Sequence, residues 1–204
     1  MKQSPDHPVN RKSENVAQEF EQHAINRVLG GDSSAFEDLV KRYEKPIVNY
    51  IFRFIQHYEE SLDIAQEVFM KAYYALNTYN SAFRFSTWLY RIARNTAIDS
   101  MRKKQLNLRS IDEPQSSPDR EIFYQLPDNE ASPEERLRNR EFVRNFQDAV
   151  QELPEEYREV ITMRHINHCS YLEIAEICQI PIGTVKNRIF RGRELLRKKV
   201  EDKI

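Results

Sequence analysis

The segment from Ser170 to Lys198, SYLEIAEICQIPIGTVKNRIFRGRELLRK, decides how the rest of the chain is read. Its opening Ser170-Tyr171-Leu172-Glu173 is a capping box, in which the Ser170 hydroxyl accepts from the Glu173 backbone N–H and the Glu173 carboxylate accepts from that of Ser170. A helix is predicted to start there, with apolar Ile174, Ala175, Ile177 and Cys178 covering about two turns. Gln179-Ile180-Pro181 stops it, because proline lacks an N–H and biases the residue before it away from helix. A second helix follows, carrying Val185, Ile189 and Leu196 on one side. Two short helices at a tight turn make a helix-turn-helix, and small Ala175 lets the second helix approach closely.

The second helix carries the function of the motif. Thr184, Asn187, Arg188 and Arg191 fall at i, i+3, i+4 and i+7, opposite Val185 and Ile189, so one stripe is built of base and phosphate readers. Residues 183–199 hold seven cations against one acid, a net of +6, inside a chain of 204 residues whose net charge is −1. A cationic helix in a near-neutral protein points to the polyanionic backbone of DNA, which the total charge conceals.

Working back toward the N-terminus, the same helical period recurs. Ile47, Tyr50, Ile51, Phe54, Ile55 and Tyr58 are spaced as only a helix places them on one face. Leu62, Ala65, Phe69, Ala72 and Leu76 repeat the pattern, with Asp63, Gln66, Glu67 and Lys71 on the other face. Val16 to Leu29 forms an earlier segment, ended by Gly30-Gly31, after which Asp32 or Ser33 is placed to cap the next helix. Trp88 to Met101 resumes the helices with Trp88, Ile92 and Thr96 aligned. Hydrophobic residues at 40%, charged residues at 31% and only 4 Gly fit amphipathic helices better than a strand-rich fold with many tight turns. The expected fold is all-α: two helical domains joined by a flexible linker, the C-terminal one with the helix-turn-helix.

The boundary falls where prolines gather. Pro114, Pro118, Pro127 and Pro133 stand among Ser, Asp and Glu, and residues 110–140 carry four Arg against eight acids, a net of −4. The expected organisation is a disordered tail over 1–15, a first domain over 16–107, an acidic flexible linker over 108–134 and a second domain over 135–204. Between the first domain's helices, Phe83, Phe85, Trp88 and Tyr90 alternate with Arg84, Arg91 and Arg94. Residues 84–109 hold seven cations and one acid, again a net of +6. Aromatics that stack on bases beside cations that hold the backbone suit single-stranded DNA. Core packing is the competing role for Trp88 and Tyr90, since their helix needs an apolar face. The residues from Asn80 to Arg84 are expected on the surface, where an interhelical segment keeps its backbone solvated.

Two Cys residues are too few for a disulfide scaffold, and the opening MKQSPDHPVNRKSEN has no apolar signal-peptide core, so a cytoplasmic protein is expected. No apolar run reaches the ~20 residues that span a bilayer, which argues against direct membrane insertion. His165, His168, Cys169 and Cys178 are zinc-ligand types, but their spacing matches no common zinc pattern, and no metal or cofactor is expected.

Four stretches in order, GDSSAFEDLVKRYEKPI, DIAQEVFMKAYYAL, FSTWLYRIARNTAIDSMRK, and LPEEYREVITMRHIN with the 170–198 segment, resemble the extracytoplasmic-function sigma factors of the sigma-70 superfamily, in particular the envelope-stress sigma-E type. The likeness runs from about Val16 to the end. It implies a region 2 domain that binds RNA polymerase core and the −10 element, and a region 4 domain that binds the −35 element. It also implies a cytoplasmic protein that is not itself an enzyme. By this resemblance Asp63, Gln66, Glu67 and Phe69 meet the clamp helices of the polymerase beta-prime subunit, while region 4 meets the beta flap. Asn80, Ser81, Ala82, Phe83 and Arg84 capture a flipped −10 base. Trp88, Tyr90, Arg91, Arg94 and Asn95 flank the melted strand. Arg164, Lys186, Asn187, Phe190 and Arg191 join Thr184 and Arg188 at the −35 element. An anti-sigma factor, membrane-anchored or free, is implied as a regulator. The sequence departs from the family in lacking a glycine before Phe83, and in carrying His165 to Cys169 and Gln179 at the turns; Asn167 tolerates a left-handed backbone there.

A second class of reading, a helix-turn-helix repressor or response regulator, uses the C-terminal half alike. It needs a ligand pocket or a phosphoacceptor carboxylate cluster, and residues 16–105 offer neither pattern. An enzyme lacks its usual signatures: there is no Gly-rich phosphate loop, nucleophile elbow or catalytic carboxylate pair.

Overall fold

The computed structural model describes residues 11–108, 146 and 148–201. Among them there is no strand, and the all-α expectation holds. The first unit comprises α1 (Arg11–Leu29), a 3₁₀ turn (Ser33–Ala35), α2 (Phe36–Ile55), α3 (Tyr58–Tyr74), a second 3₁₀ turn (Leu76–Thr78) and α4 (Phe85–Leu108). The second unit comprises α5 (Glu155–His165), α6 (Tyr171–Cys178) and α7 (Ile182–Glu201).

Helix α1 begins at Arg11, within the tail expected to be disordered over 1–15. Arg11, Lys12 and Glu14 are types with reasonable helix propensity, so the polar composition of this stretch is no obstacle to a helix that starts before Val16. Residues 1–10 lie outside the described residues, as does the expected linker except for Leu108, which ends α4.

The periodic stripes become the first core. Leu39, Ile47, Tyr50 and Ile51 of α2 are fully buried against Ile64, Val68 and Ala72 of α3 and Leu89 and Ala93 of α4. Tyr58 departs from its stripe. Gln56 takes a left-handed φ of 59° and closes α2 by donating from its N–H to Phe52 O at 2.8 Å. His57 then caps α3, its Nδ1 accepting from Glu60 N at 3.3 Å, and Tyr58 begins a new helix 44% exposed. A hydrophobic period cannot register that interruption, since neither Gln nor His is a usual helix breaker.

In the second unit the capping box forms as read: Glu173 N donates to Ser170 Oγ at 3.2 Å and Ser170 N to a Glu173 carboxylate oxygen at 2.8 Å. Two turn residues are left-handed. Gln179 ends α6 at φ 54°, and His168, rather than neighbouring Asn167, takes φ 55° before α6. Helices α5 and α7 pack closely at Gly192, where a Cβ would stand 2.8 Å from Ile161 Cγ1.

The two units share one apolar cluster. Residues of α5 and α6, among them Val160, Met163 and Ile174, join the core built on α2, α3 and α4, and α6 lies along α4.

Candidate nucleic-acid interface

The α7 stripe is set by what its opposite face must bury. Val185 and Ile189 are sealed against α5 and α6, which turns Lys186, Asn187, Phe190 and Arg191 outward. Phe190 stands among them with its ring 64% exposed. Thr184 and Arg188 are half-buried at the stripe's edge, and Arg188 is held by Glu156 at 3.0 Å. Arg164 is engaged within the motif: it donates to Cys169 O at 3.0 Å and stacks over the Tyr171 ring. Its first task in this structure is therefore to brace the approach to α6.

The segment from Asn80 to Arg84 is a pinned surface turn. Asn80 Oδ1 accepts from Ala82 N at 2.9 Å, and Tyr79 OH donates to Phe83 O at 2.7 Å. These bonds fix a short polar segment with little core of its own, and leave Asn80, Ser81, Ala82, Phe83 and Arg84 exposed. Beside it lies a cleft of about 150 Å³ walled by Thr78, Asn80, Phe83, Thr87, Trp88 and Arg91, with Glu176 of α6 completing the rim.

Trp88 and Tyr90 take the core role that the sequence sets against strand contact, each being only 6% exposed. Trp88 packs against Tyr79 and Phe85, and Tyr90 against Tyr50, because α4 needs that face to cover α2. Tyr90 OH accepts from Asn167 of the second unit at 2.7 Å. Asn95 is exposed. Arg91 and Arg94 point at the second unit: Arg91 pairs with Glu176 at 2.7 Å and Arg94 with buried Glu159 at 2.5 Å. Burial works against the Arg94 charge, but the hydrogen bond and charge of Glu159 outweigh it and hold the guanidinium above its usual pKa. Tyr50, donating toward the same carboxylate at 3.4 Å, has its phenol pushed well up by burial and then by the Glu159 charge.

On α3, Asp63, Gln66 and Glu67 are exposed, Glu67 pairing with Lys71 one turn on at 2.7 Å. Phe69 is buried at 8% exposure and supports this face from beneath instead of presenting itself. Next to Gln66 runs an apolar groove of about 440 Å³ between α2 and α3, flanked by Met70, Tyr73 and Tyr74, which are 60%, 38% and 78% exposed. Sequence periodicity missed these three because they continue the polar face of α3; their exposure, not their spacing, marks them.

The zinc-type residues do not converge: among the described residues no three His, Cys, Asp or Glu are grouped to hold a metal. Cys178 packs its Sγ 3.8 Å from Met163 Sδ, and burial pushes the Cys169 thiol up to about 12. His165 accepts from Arg193 Nε at 3.2 Å. Among the described residues no helix is long and apolar enough to cross a membrane.

Residues 39–106 match the model for Sigma-70 region 2, and residues 144–196 that for Sigma-70 region 4. The chain is 39% identical to the ECF RNA polymerase sigma factor SigW of Bacillus subtilis over 178 residues, 87% of this chain and 95% of that protein. It is 36% identical to the ECF RNA polymerase sigma-E factor of Escherichia coli over 186 residues, 89% and 94% of the two chains. In fold it is similar to the sigma factor RpoE of Bartonella quintana, solved with the anti-sigma factor NepR, at a TM-score of 0.63 and 20% identity over 81% of this chain and 96% of that one.

Proposed function

The chain belongs to the extracytoplasmic-function sigma factors of the sigma-70 family, and from that membership we propose how its surfaces divide the work of promoter recognition. It binds RNA polymerase core and directs transcription initiation at chosen promoters. The observation that supports the residue-level reading is that one chain exposes two chemically unlike surfaces, a polar and cationic stripe on α7 and an aromatic turn beside a small cleft. The outward stripe of α7 suits a duplex major groove, where Arg reads guanine and Asn reads adenine. The pinned turn with Phe83 and the cleft beside it suit an unstacked base, with Arg84, Arg91 and Arg94 near the strand's phosphates. Duplex −35 and melted −10 elements require those two different chemistries.

Core binding falls to the exposed polar face of α3, Asp63, Gln66 and Glu67, extended by the groove under Met70 and Tyr74. The chemistry of RNA synthesis then belongs to polymerase, and this chain supplies selection and melting in the cytoplasm. An anti-sigma factor regulates it, a reading supported by the fold relative from Bartonella quintana that was solved in complex with the anti-sigma factor NepR.

Transcription from a promoter pool with purified core is the direct test. Wild-type chain should start transcription at a restricted promoter set. Asp63→Lys should lose core association while helicity and duplex binding hold. If core with the chain starts no differently from core alone, the function is wrong; tight operator binding by the chain alone would favour a repressor.

A further inference from the structure

Phe83 is held at both of its backbone groups. Its N–H donates to Asn80 O at 3.1 Å, closing the turn, and its carbonyl accepts from the Tyr79 hydroxyl at 2.7 Å. Asn80 Oδ1 braces the turn from inside by accepting from Ala82 N at 2.9 Å. Tyr79 is anchored in its turn: its half-buried ring lies with centroids 5.7 Å from Phe85 and 5.6 Å from Trp88, and its N–H donates to Leu76 O at 3.1 Å. Phe85 and Trp88 are core residues of α4, 1% and 6% exposed, so the phenol ties an exposed turn to the interior of the first unit. Burial and then the charge of Glu21 push that phenol up, which keeps it a protonated donor at neutral pH. The same bonds account for the missing glycine. Among the described residues, Gln56, His168 and Gln179 are the non-glycine residues with left-handed φ, and none of them lies between Tyr79 and Phe85. The turn thus needs no glycine, and side chains fix its shape in place of a special backbone conformation.

Resting on the strand-capture reading of this turn, we propose that Tyr79 is a positioning residue for base capture: its hydroxyl, by holding the Phe83 carbonyl, sets the Phe83 ring where an unstacked −10 base meets it. Tyr79 itself touches no DNA in this role. Phe83 is 46% exposed and has little packing of its own to orient it, so restraint of its backbone is what orders the ring before the strand arrives. A turn that samples other shapes captures the base only while it is correctly shaped, and the apparent affinity falls by that fraction. Tyrosine differs from phenylalanine by the hydroxyl alone, so Tyr79→Phe removes the tether and keeps the ring packed on Phe85 and Trp88.

Tyr79→Phe, Phe83→Ala and the double variant are made in the full chain and assembled with purified core. The DNA is one promoter recovered from a randomised pool with wild-type holoenzyme, prepared as duplex and as a template pre-opened over the −10 element, with each −10 base of the captured strand varied in turn. Tyr79→Phe should match wild type in Tm, in core association and in binding of the closed duplex. It should bind the pre-opened template about threefold to tenfold more weakly, the size of effect one neutral hydrogen bond carries, and its discrimination between bases should weaken at a single −10 position. In the Phe83→Ala background the further loss should be less than about twofold, because the tether acts through Phe83. Equal strand affinity and equal discrimination in Tyr79→Phe and wild type would overturn the proposal, as would a loss that persists in full on Phe83→Ala. A fall in Tm and core association with discrimination intact would make Tyr79 merely structural and overturn it too. Wild-type behaviour separates the underlying readings. If wild-type holoenzyme starts at no restricted promoter set, the sigma-factor reading fails; if it starts but ranks all −10 bases alike, strand capture by this turn fails; the positioning role falls with either. Discrimination by wild type that Tyr79→Phe retains sinks the tether alone.

Discussion

Gly192 sets how closely α7 packs on α5, and adding one methyl group there tests that. A Cβ at 192 would fall 2.8 Å from Ile161 Cγ1, 3.1 Å from Ile161 Cδ1 and 3.4 Å from Tyr157 Cβ. Ile161 is fully buried, so either its side chain must repack or α7 must move off α5. Overpacking of this kind costs about 1–3 kcal/mol, against which the better helix propensity of Ala returns roughly 1 kcal/mol. The net expectation for Gly192→Ala is a loss of about 1 kcal/mol, or about 2–4 °C in Tm for a chain of this size. Gly183 is the internal comparison, because nothing lies within 4 Å of its Cβ position. Gly183→Ala should therefore be neutral or gain about 0.5 kcal/mol. Thermal unfolding followed by far-UV ellipticity measures both, and duplex binding should weaken only for Gly192→Ala. A Gly192→Ala protein as stable as Gly183→Ala, with unchanged duplex affinity, would refute the close-approach reasoning. In a Gly192→Ala/Ile161→Ala double variant the losses should fall short of additive by more than about 0.5 kcal/mol.

Arg191→Ala should weaken duplex binding by about 1–3 kcal/mol at one base position if the side chain reads a base, and almost uniformly across a promoter library if it holds phosphate; no loss at all removes it from the interface. Ser170→Ala breaks the cap of the eight-residue α6 and should cost about 1 kcal/mol in urea unfolding. His165 has its pKa lowered by partial desolvation and then by Arg193, Arg164 and His168, so folding favours the neutral ring. That contribution is full above the unfolded pKa of about 6.5 and is lost as pH falls through the lower folded value. The Tm of His165→Gln should thus gain on wild type between pH 7.5 and pH 5.5; a constant difference would contradict this.

The helices were legible wherever one face was buried and the other wet. The α2 and α3 stripes and the capping box at Ser170 announce themselves because burial and cap chemistry both leave a fixed spacing. What was hidden depends on contacts distant in sequence. Gln56, His168 and Gln179 take left-handed turns that no residue preference announces. For Trp88 and Tyr90 the sequence leaves core and strand-contact roles open, and the packing of α4 against α2 is what buries them. The pairing of Arg91 and Arg94 is invisible from the chain, since an arginine on a polar face looks the same facing water, phosphate or another helix. Gly192 reads as a weak point in a helix until the neighbouring Ile161 shows why it is small.

The chain's one tryptophan has a practical use that follows from its position. Trp88 is sealed between Tyr79 and Phe85 in the first unit, while the second contains no indole. Intrinsic emission is therefore a native optical reporter for one half of the molecule, shifting red when that half melts. Ellipticity counts every helix, so the gap between the two melting curves measures how far the halves unfold as one cooperative body, with no dye attached.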